Sequence, residues 1–150
     1  MNKLIPITIV CLFLSLFSCD KGQQILKDNI KEIEEYLDDN NLTAQRTDSD
    51  LFYIIEEEGN GEFPEVTDIV TVDYEGYFTN GDVFDSSYDA DPIEFRLTSV
   101  IQGWEEGIPL FSKGGKGKLL VPSHLGYGEF GRGSIPGNSV LIFDIHLIDF

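Results

Sequence analysis

Residues 68–82 read DIVTVDYEGYFTNGD, and their pattern decides the fold. Val70, Val72, Tyr74 and Phe78 alternate with Thr71, Asp73, Glu75 and Tyr77. A period of two puts each set on one face of a strand, the first toward a core and the second toward water. Asn80-Gly81 follows, a dipeptide that readily takes the left-handed backbone angles of a tight hairpin. The stretch reads as a half-buried antiparallel strand running into a hairpin.

The same period recurs outward from it. LFYIIEEEG (51–59) is a short strand ending at Gly59. IEFRL (93–97) sets Ile93, Phe95 and Leu97 on one face. GKLLVP (117–122) does the same with Leu119 and Val121, and stops at Pro122. SVLIFDIHLIDF (139–150) aligns Leu141, Phe143, Ile145 and Leu147. Between IEFRL and GKLLVP lies VIQGWEEGIPLF (100–111), the only helix-like segment of this half, with the chain's single tryptophan. Gly103 and Gly107 flank Trp104, and glycine costs a helix interior about 1 kcal/mol relative to alanine. Such a helix is too weak to stand alone and must be held by the strands around it, its glycines letting them approach closely. The expectation is an α+β fold, a curved antiparallel sheet of about five strands wrapped around one short helix.

A different pattern precedes this domain. Leu26, Ile30, Ile33 and Leu37 recur at helical spacing, and Asp38–Asn41 read as a stop, which predicts a helix over 23–38. Its apolar stripe covers two heptads, short of the three or four that argue for a coiled coil. A spacer or a helix packed loosely on its own domain fits it, and a weak dimer contact is the alternative. The first residues, MNKLIPITIVCLFLSLFSCD, join a basic Lys3 to an uncharged run from Leu4 to Phe17 and a small-residue exit at Ser18-Cys19. The run is shorter than the ~20 apolar residues of a membrane span and reads as a secretion signal. Cys19 stands where the lipobox of a bacterial lipoprotein has its acylated cysteine, and attachment through more than one acyl chain holds a protein stably at a membrane. The expected organisation is a signal peptide over 1–18, a lipid-anchored helical spacer over 19–46 and a folded domain over 47–150, in the bacterial cell envelope and facing the periplasm. Removal of 1–18 takes Cys11 away and leaves Cys19 without an intramolecular disulfide partner.

The 150 residues suffice for one domain with a real core, and 41% hydrophobic with 25% charged residues are globular values. A net charge of −17 argues against a nucleic-acid partner, because phosphate contacts need clustered Lys and Arg. His124 and His146 lack cysteine partners and zinc-type spacing, so no metal site is expected. No serine sits in a nucleophile-elbow glycine pattern. SKGGKGKLLV (112–121) lacks phosphate-loop spacing, and its Lys113, Lys116 and Lys118 read as the solvated side of a turn and strand. No cofactor is implied. What remains is a set of aromatic and aliphatic residues near turns, with one acid at Asp85, able to line an apolar cleft.

VDYEGYFTNGDVFDSS (72–87), VIQGWEEGIPLFSKGGKGKLLVPSHLGYG (100–128) and IPGNSVLIFDIHLIDF (135–150) resemble, in order and at compatible spacing, the FK506-binding-protein family of peptidyl-prolyl cis-trans isomerases. The resemblance implies a noncovalent isomerase of X-Pro bonds acting on proline-containing polypeptides, and possible binding of macrolide inhibitors. A catalytically weak peptide-binding or chaperone module is the alternative it leaves. Carried over, it makes Trp104 the floor of a pocket, with Tyr74, Phe84 and Phe143 as aromatic walls. Val100 and Ile101 stand at the rim, Tyr127 reaches in from a loop, Ile135 closes the side, and Asp85 sits at the mouth beside the polar edge of Tyr74. Phe95 and Leu97 support the core beneath. Ile93 contacts substrate where the family often has an aromatic. The loop SYDADP (87–92) lacks the basic residue often found there, which puts a salt bridge to Asp85 in doubt.

Overall fold

The computed structural model describes residues 21–88 and 90–150, together with the helical backbone of 8–20; the signal peptide and Cys19 expected from sequence lie outside the residues whose side chains are described. Helix α1 spans Thr8–Asp39, longer than the predicted 23–38. Seven strands follow in one antiparallel sheet: β1 (Gln45–Arg46), β2 (Phe52–Glu57), β3 (Ile69–Tyr77), β4 (Val83–Ser86), β5 (Ile93–Arg96), β6 (Lys116–Val121) and β7 (Leu141–Asp149). The short helix α2 spans Gln102–Gly107.

The sheet order is β1-β2-β6-β7-β3-β4, with β5 also on β3. Five strands were expected, and β1 and β4 are additions of two and four residues. Strand β1 is too short to display a period, and VFDS of β4 does not alternate. Strands β4 and β5 share one edge of β3: β4 pairs with Glu75–Tyr77 and β5 with Ile69–Val72. The edge strand is thus broken over 87–92, next to Asp85. The expected hairpin is present, with Gly81 at φ +89° and its N–H donating to the Phe78 carbonyl at 2.8 Å.

The two faces of the sheet carry two cores. On the inner face, Val70, Val72, Leu119, Val121, Leu141, Ile145 and Leu147 pack around α2. Gly103 and Gly107 face β6: a Cβ at 103 would lie 2.5 Å from Val121 Cγ1, and one at 107 would lie 2.7 Å from Leu119 Cδ1. Helix α2 lies flush on the sheet because those Cβ atoms are absent. On the outer face, Ile33 and Leu37 of α1 bury against Phe52, Leu120, Val140 and Ile142. The segment expected as a spacer is therefore packed through its C-terminal half. Asn41, at φ +54°, ends the helix, and the Leu42 N–H returns to the Leu37 carbonyl at 2.9 Å.

The outer face also corrects the reading of Lys118 as solvated. Its side chain is 16% exposed, with Nζ 2.6 Å from Asp144 and 3.7 Å from Glu56. Tyr77 donates to the same Asp144 oxygen at 2.9 Å, and Tyr36 of α1 lies 3.4 Å from the Tyr77 hydroxyl. Glu106 of the segment 100–111 accepts from the Ser49 hydroxyl at 2.6 Å. Among the described residues no helix is long and apolar enough to cross a membrane.

Candidate functional site

A cleft of about 740 Å³ opens over α2, between the broken edge at 87–92 and the loop from β6 to β7. Its position follows from register. Gly76 on β3 pairs with Asp85 of β4 on one side and with Phe143 of β7 on the other. A Cβ at Gly76 would lie 2.6 Å from the Phe84 ring and 3.0 Å from that of Phe143, so the absent side chain lets both rings lie over β3. Phe84 and Phe143 meet edge to face, with centroids 5.7 Å apart at 85°.

Trp104 forms the floor and is 5% exposed. Tyr74 meets it at 5.0 Å and 85°, Phe143 at 5.2 Å and 79°, and Phe95 at 5.2 Å and 42°. Each such contact is worth about 0.5–1.5 kcal/mol beyond buried area, so the indole is fixed from three sides. Phe95 therefore lines the cleft rather than only supporting the core from beneath; Leu97 is fully buried, as expected.

One polar pair of the site is tied down. The Tyr74 hydroxyl donates to Asp85 Oδ2 at 2.6 Å, and Asp85 Oδ1 accepts the Ser86 N–H at 3.0 Å. Burial pushes the Tyr74 hydroxyl well above the usual tyrosine range, and the hydrogen bond and charge of Asp85 push it further. Tyr74 therefore stays a donor through neutral pH. Among the described residues Asp85 has no ion-pair partner. Ser87, 2% exposed, staples the turn: its hydroxyl accepts the Tyr74 N–H at 2.9 Å and donates to Asp73 at 3.0 Å. Ser87 was not among the residues expected at the site; its signal in the sequence is the pair of serines that follows Asp85 in a turn.

The cleft brings together all ten residues singled out from sequence: Tyr74, Phe84, Asp85, Ile93, Val100, Ile101, Trp104, Tyr127, Ile135 and Phe143. Helix α2 and the residues before it supply Val100, Ile101 and Trp104, β5 supplies Ile93, and the loop after β6 supplies Tyr127 and Ile135. Arg132 was missed. It lines the same loop wall with its guanidinium carbon 5.8 Å from the Tyr127 ring centroid, and has no carboxylate partner among the described residues. Glu94, Ser99, Gly133 and Ser134 also line the cleft.

This set is poor in groups for proton transfer or covalent attack. Neither histidine lines the cleft; His124 Nε2 lies 3.0 Å from the Ser49 carbonyl oxygen. Among the described residues no three His, Cys, Asp or Glu side chains gather as metal ligands. An apolar floor, aromatic walls and one anchored hydroxyl–carboxylate pair suit noncovalent capture of a compact apolar ring.

Tyr74 and Tyr77 carry a pH consequence. Both hydroxyls are raised, Tyr77 also by burial first, then by its bond to Tyr36 and the charge of Asp144. An unfolded tyrosine titrates near ~10. Above that pH the unfolded chain releases protons that the folded chain keeps, so stability is fully present below it and is lost as pH rises beyond. The urea midpoint is expected to hold between about pH 7 and 9 and to fall above about 10, less steeply in Tyr74→Phe. A midpoint that stays level to about pH 11 contradicts the buried, bonded hydroxyls.

Comparison with known proteins gives consistent relatives. The model of a family described as FKBP-type peptidyl-prolyl cis-trans isomerase matches residues 60–148. FkpA of Aeromonas hydrophila, an isomerase of that type by name, is 48% identical over 131 residues, covering 85% of this chain and 49% of the relative. FkpA of Escherichia coli K12 is 47% identical over 100 residues, 66% of this chain and 37% of the relative. The crystal structure of Escherichia coli FkpA superposes with a TM-score of 0.74 at 34% identity, covering 99% of this chain and 74% of that one. The chain thus spans half or less of the length of these two curated relatives.

Proposed function

Because this chain belongs to the family of FKBP-type peptidyl-prolyl cis-trans isomerases, we propose that its cleft receives a prolyl residue and accelerates rotation about the preceding peptide bond in exported polypeptides. The observation that carries this is the aromatic box, with Trp104 held edge to face by Tyr74 and Phe143 at 5.0 and 5.2 Å.

The barrier to be lowered is about 18–20 kcal/mol and arises from amide resonance. Twisting the bond removes the resonance, makes the carbonyl less polar and leaves the nitrogen more pyramidal. A dry apolar cleft disfavours the planar, polar amide more than the twisted one, which is differential stabilisation of the transition state. Lowering the barrier by about 5 kcal/mol gives several thousandfold, at one decade per ~1.36 kcal/mol. In this reading the prolyl ring lies on Trp104 between Tyr74, Phe84 and Phe143. Ile93, Val100, Ile101 and Ile135 enclose the flanking residues, and the Tyr127 hydroxyl meets a substrate carbonyl. Asp85 holds Tyr74 in place.

Trp104 is the only tryptophan, so its fluorescence reports on the cleft alone. Titration with a short X-Pro peptide is expected to give a saturable change, displaced by a macrolide inhibitor of the family. No change, or an equal change with alanine in place of proline, sinks the binding mode.

The same proposal places the protein in the bacterial envelope, facing the periplasm, with Cys19 acylated after removal of 1–18; the lipobox-like exit at Ser18-Cys19 supports it. Cys19→Ser is then expected to move the protein from the membrane fraction to the soluble one, and retention at the membrane overturns the anchor. A weak dimer through 23–38 has less support, because Ile33 and Leu37 are already buried on the chain's own sheet.

A further inference from the structure

We propose that Asn29, on helix α1, is a positioning residue for the wall of the cleft that carries Tyr127 and Ile135. Asn29 is a polar side chain only 4% exposed, and the other buried residues among the described part of its helix, Ile33 and Leu37, are apolar. Its Oδ1 accepts the backbone N–H of Ser123 at 2.8 Å, and its Nδ2 donates to the backbone carbonyl of Asn138 at 3.0 Å. These two residues bracket the loop from β6 to β7. Within the loop, the Gly128 N–H donates to the Ser123 carbonyl and the Asn138 N–H donates to the Gly128 carbonyl, each at 2.8 Å.

Together the bonds form a closed ring. Ser123 is joined to Gly128, Gly128 to Asn138, and the Asn29 amide spans the remaining gap from Asn138 back to Ser123. An amide side chain suits that gap, because it accepts at one end and donates at the other. Tyr127 immediately precedes Gly128, the member of the ring bonded to both others. Beyond it, Arg132 and Ile135 exchange reciprocal backbone bonds at 2.9 Å, so the outer turn is rigid in itself and moves with its base. The loop has no strand partner along most of its length, and the ring is what sets where Tyr127 and Ile135 stand. A second tie, the ion pair of Lys21 with Glu129, is exposed at both ends and adds little.

The bland alternative is that Asn29 merely satisfies two buried backbone groups and helps hold α1 to the sheet. The two differ in where the effect appears. A positioning role changes the loop and the cleft while the folded core is unchanged. A structural role changes global stability alone. The inference rests on the isomerase reading for its kinetic arm and on geometry for the rest.

The test uses the full chain and the variants Asn29→Leu, Asn29→Asp and Ile33→Ala. Asn29→Leu removes both bonds while keeping the branched shape of the side chain. Asn29→Asp keeps the acceptor for Ser123 and sets a carboxylate oxygen against the Asn138 carbonyl, which opens that end of the ring without changing the size of the side chain, should the first variant not fold. Ile33→Ala weakens the docking of α1 one turn away without touching the ring. Amide exchange at Gly128 and Asn138 is expected to quicken tenfold or more in both Asn29 variants, with β3 and β7 amides unmoved. KM for an X-Pro peptide is expected to rise severalfold with a smaller change in kcat. Ile33→Ala is expected to lower the urea midpoint and leave loop exchange and KM as they were. Unchanged loop exchange in the Asn29 variants overturns the proposal, as does an equal effect from Ile33→Ala. If the wild-type chain turned over no X-Pro peptide, the functional reading would fail while loop exchange still decided the role of Asn29.

Discussion

Trp104→Ala is expected to destabilise the protein by about 3–5 kcal/mol, the range for removing a buried aromatic, and to lower kcat/KM for a short X-Pro peptide about a hundredfold or more. The two losses have different origins. Stability falls because three rings, Tyr74, Phe95 and Phe143, lose the partner they meet at 5.0–5.2 Å, and α2 lacks the means to refill the space. The helix has six residues and two glycines against the sheet. Turnover falls because the prolyl ring loses its floor and water enters where the amide must twist. Since a domain is stable by only about 5–15 kcal/mol, kinetics belong at a temperature where the variant remains folded, checked by circular dichroism. A stability loss with kcat/KM intact would reduce Trp104 to plain core.

Gly117→Ala is expected to cost about 3 kcal/mol or more, in the tail of single-residue effects. Gly117 lies on β6, which is paired on both edges, with Ile55 of β2 and Ile145 of β7 as partners. A Cβ there would fall far inside contact with the Ile54 carbonyl oxygen and 3.0 Å from the Phe111 ring. The first neighbour is backbone on a paired strand, so no rotamer change relieves it; β2 must move off β6. Because β2 carries Phe52 against Leu120 and α1, the outer core loosens too. Denaturant melting checks this, and a midpoint equal to wild type contradicts the close approach of β2 and β6.

What the sequence made legible follows from its periods. Strands β3 and β7, nine residues each, show enough alternation to assign both faces. Strand β1 has only two residues, and β4, VFDS, sets two apolar residues before two polar ones and so shows no alternation, unlike β5 of equal length. The outer core was not read from the sequence, although Leu120 and Ile142 interrupt the alternation of their strands, the mark of a covered second face, and Ile33 and Leu37 cover it in the structure. The cleft walls came from the family resemblance, since strand parity says which face a side chain takes and not which ring it meets. Arg132 escaped because it lies in a loop whose course depends on the Ser123–Gly128–Asn138 ring. Asn29 escaped because its partners are 94 and 109 residues away, and a lone asparagine in a polar-looking helix gives no hint of them. Lys118 was misread because its partners, Asp144 and Glu56, belong to neighbouring strands.

The most direct measurement is the rate of cis-to-trans conversion of a short X-Pro peptide with and without the protein, followed beside Trp104 fluorescence. Acceleration by several thousandfold, abolished by a macrolide that also displaces the peptide from Trp104, is the expected result. A peptide that titrates the Trp104 signal normally while its isomerisation proceeds at the uncatalysed rate would contradict it, and would leave a cleft that binds proline without turning it.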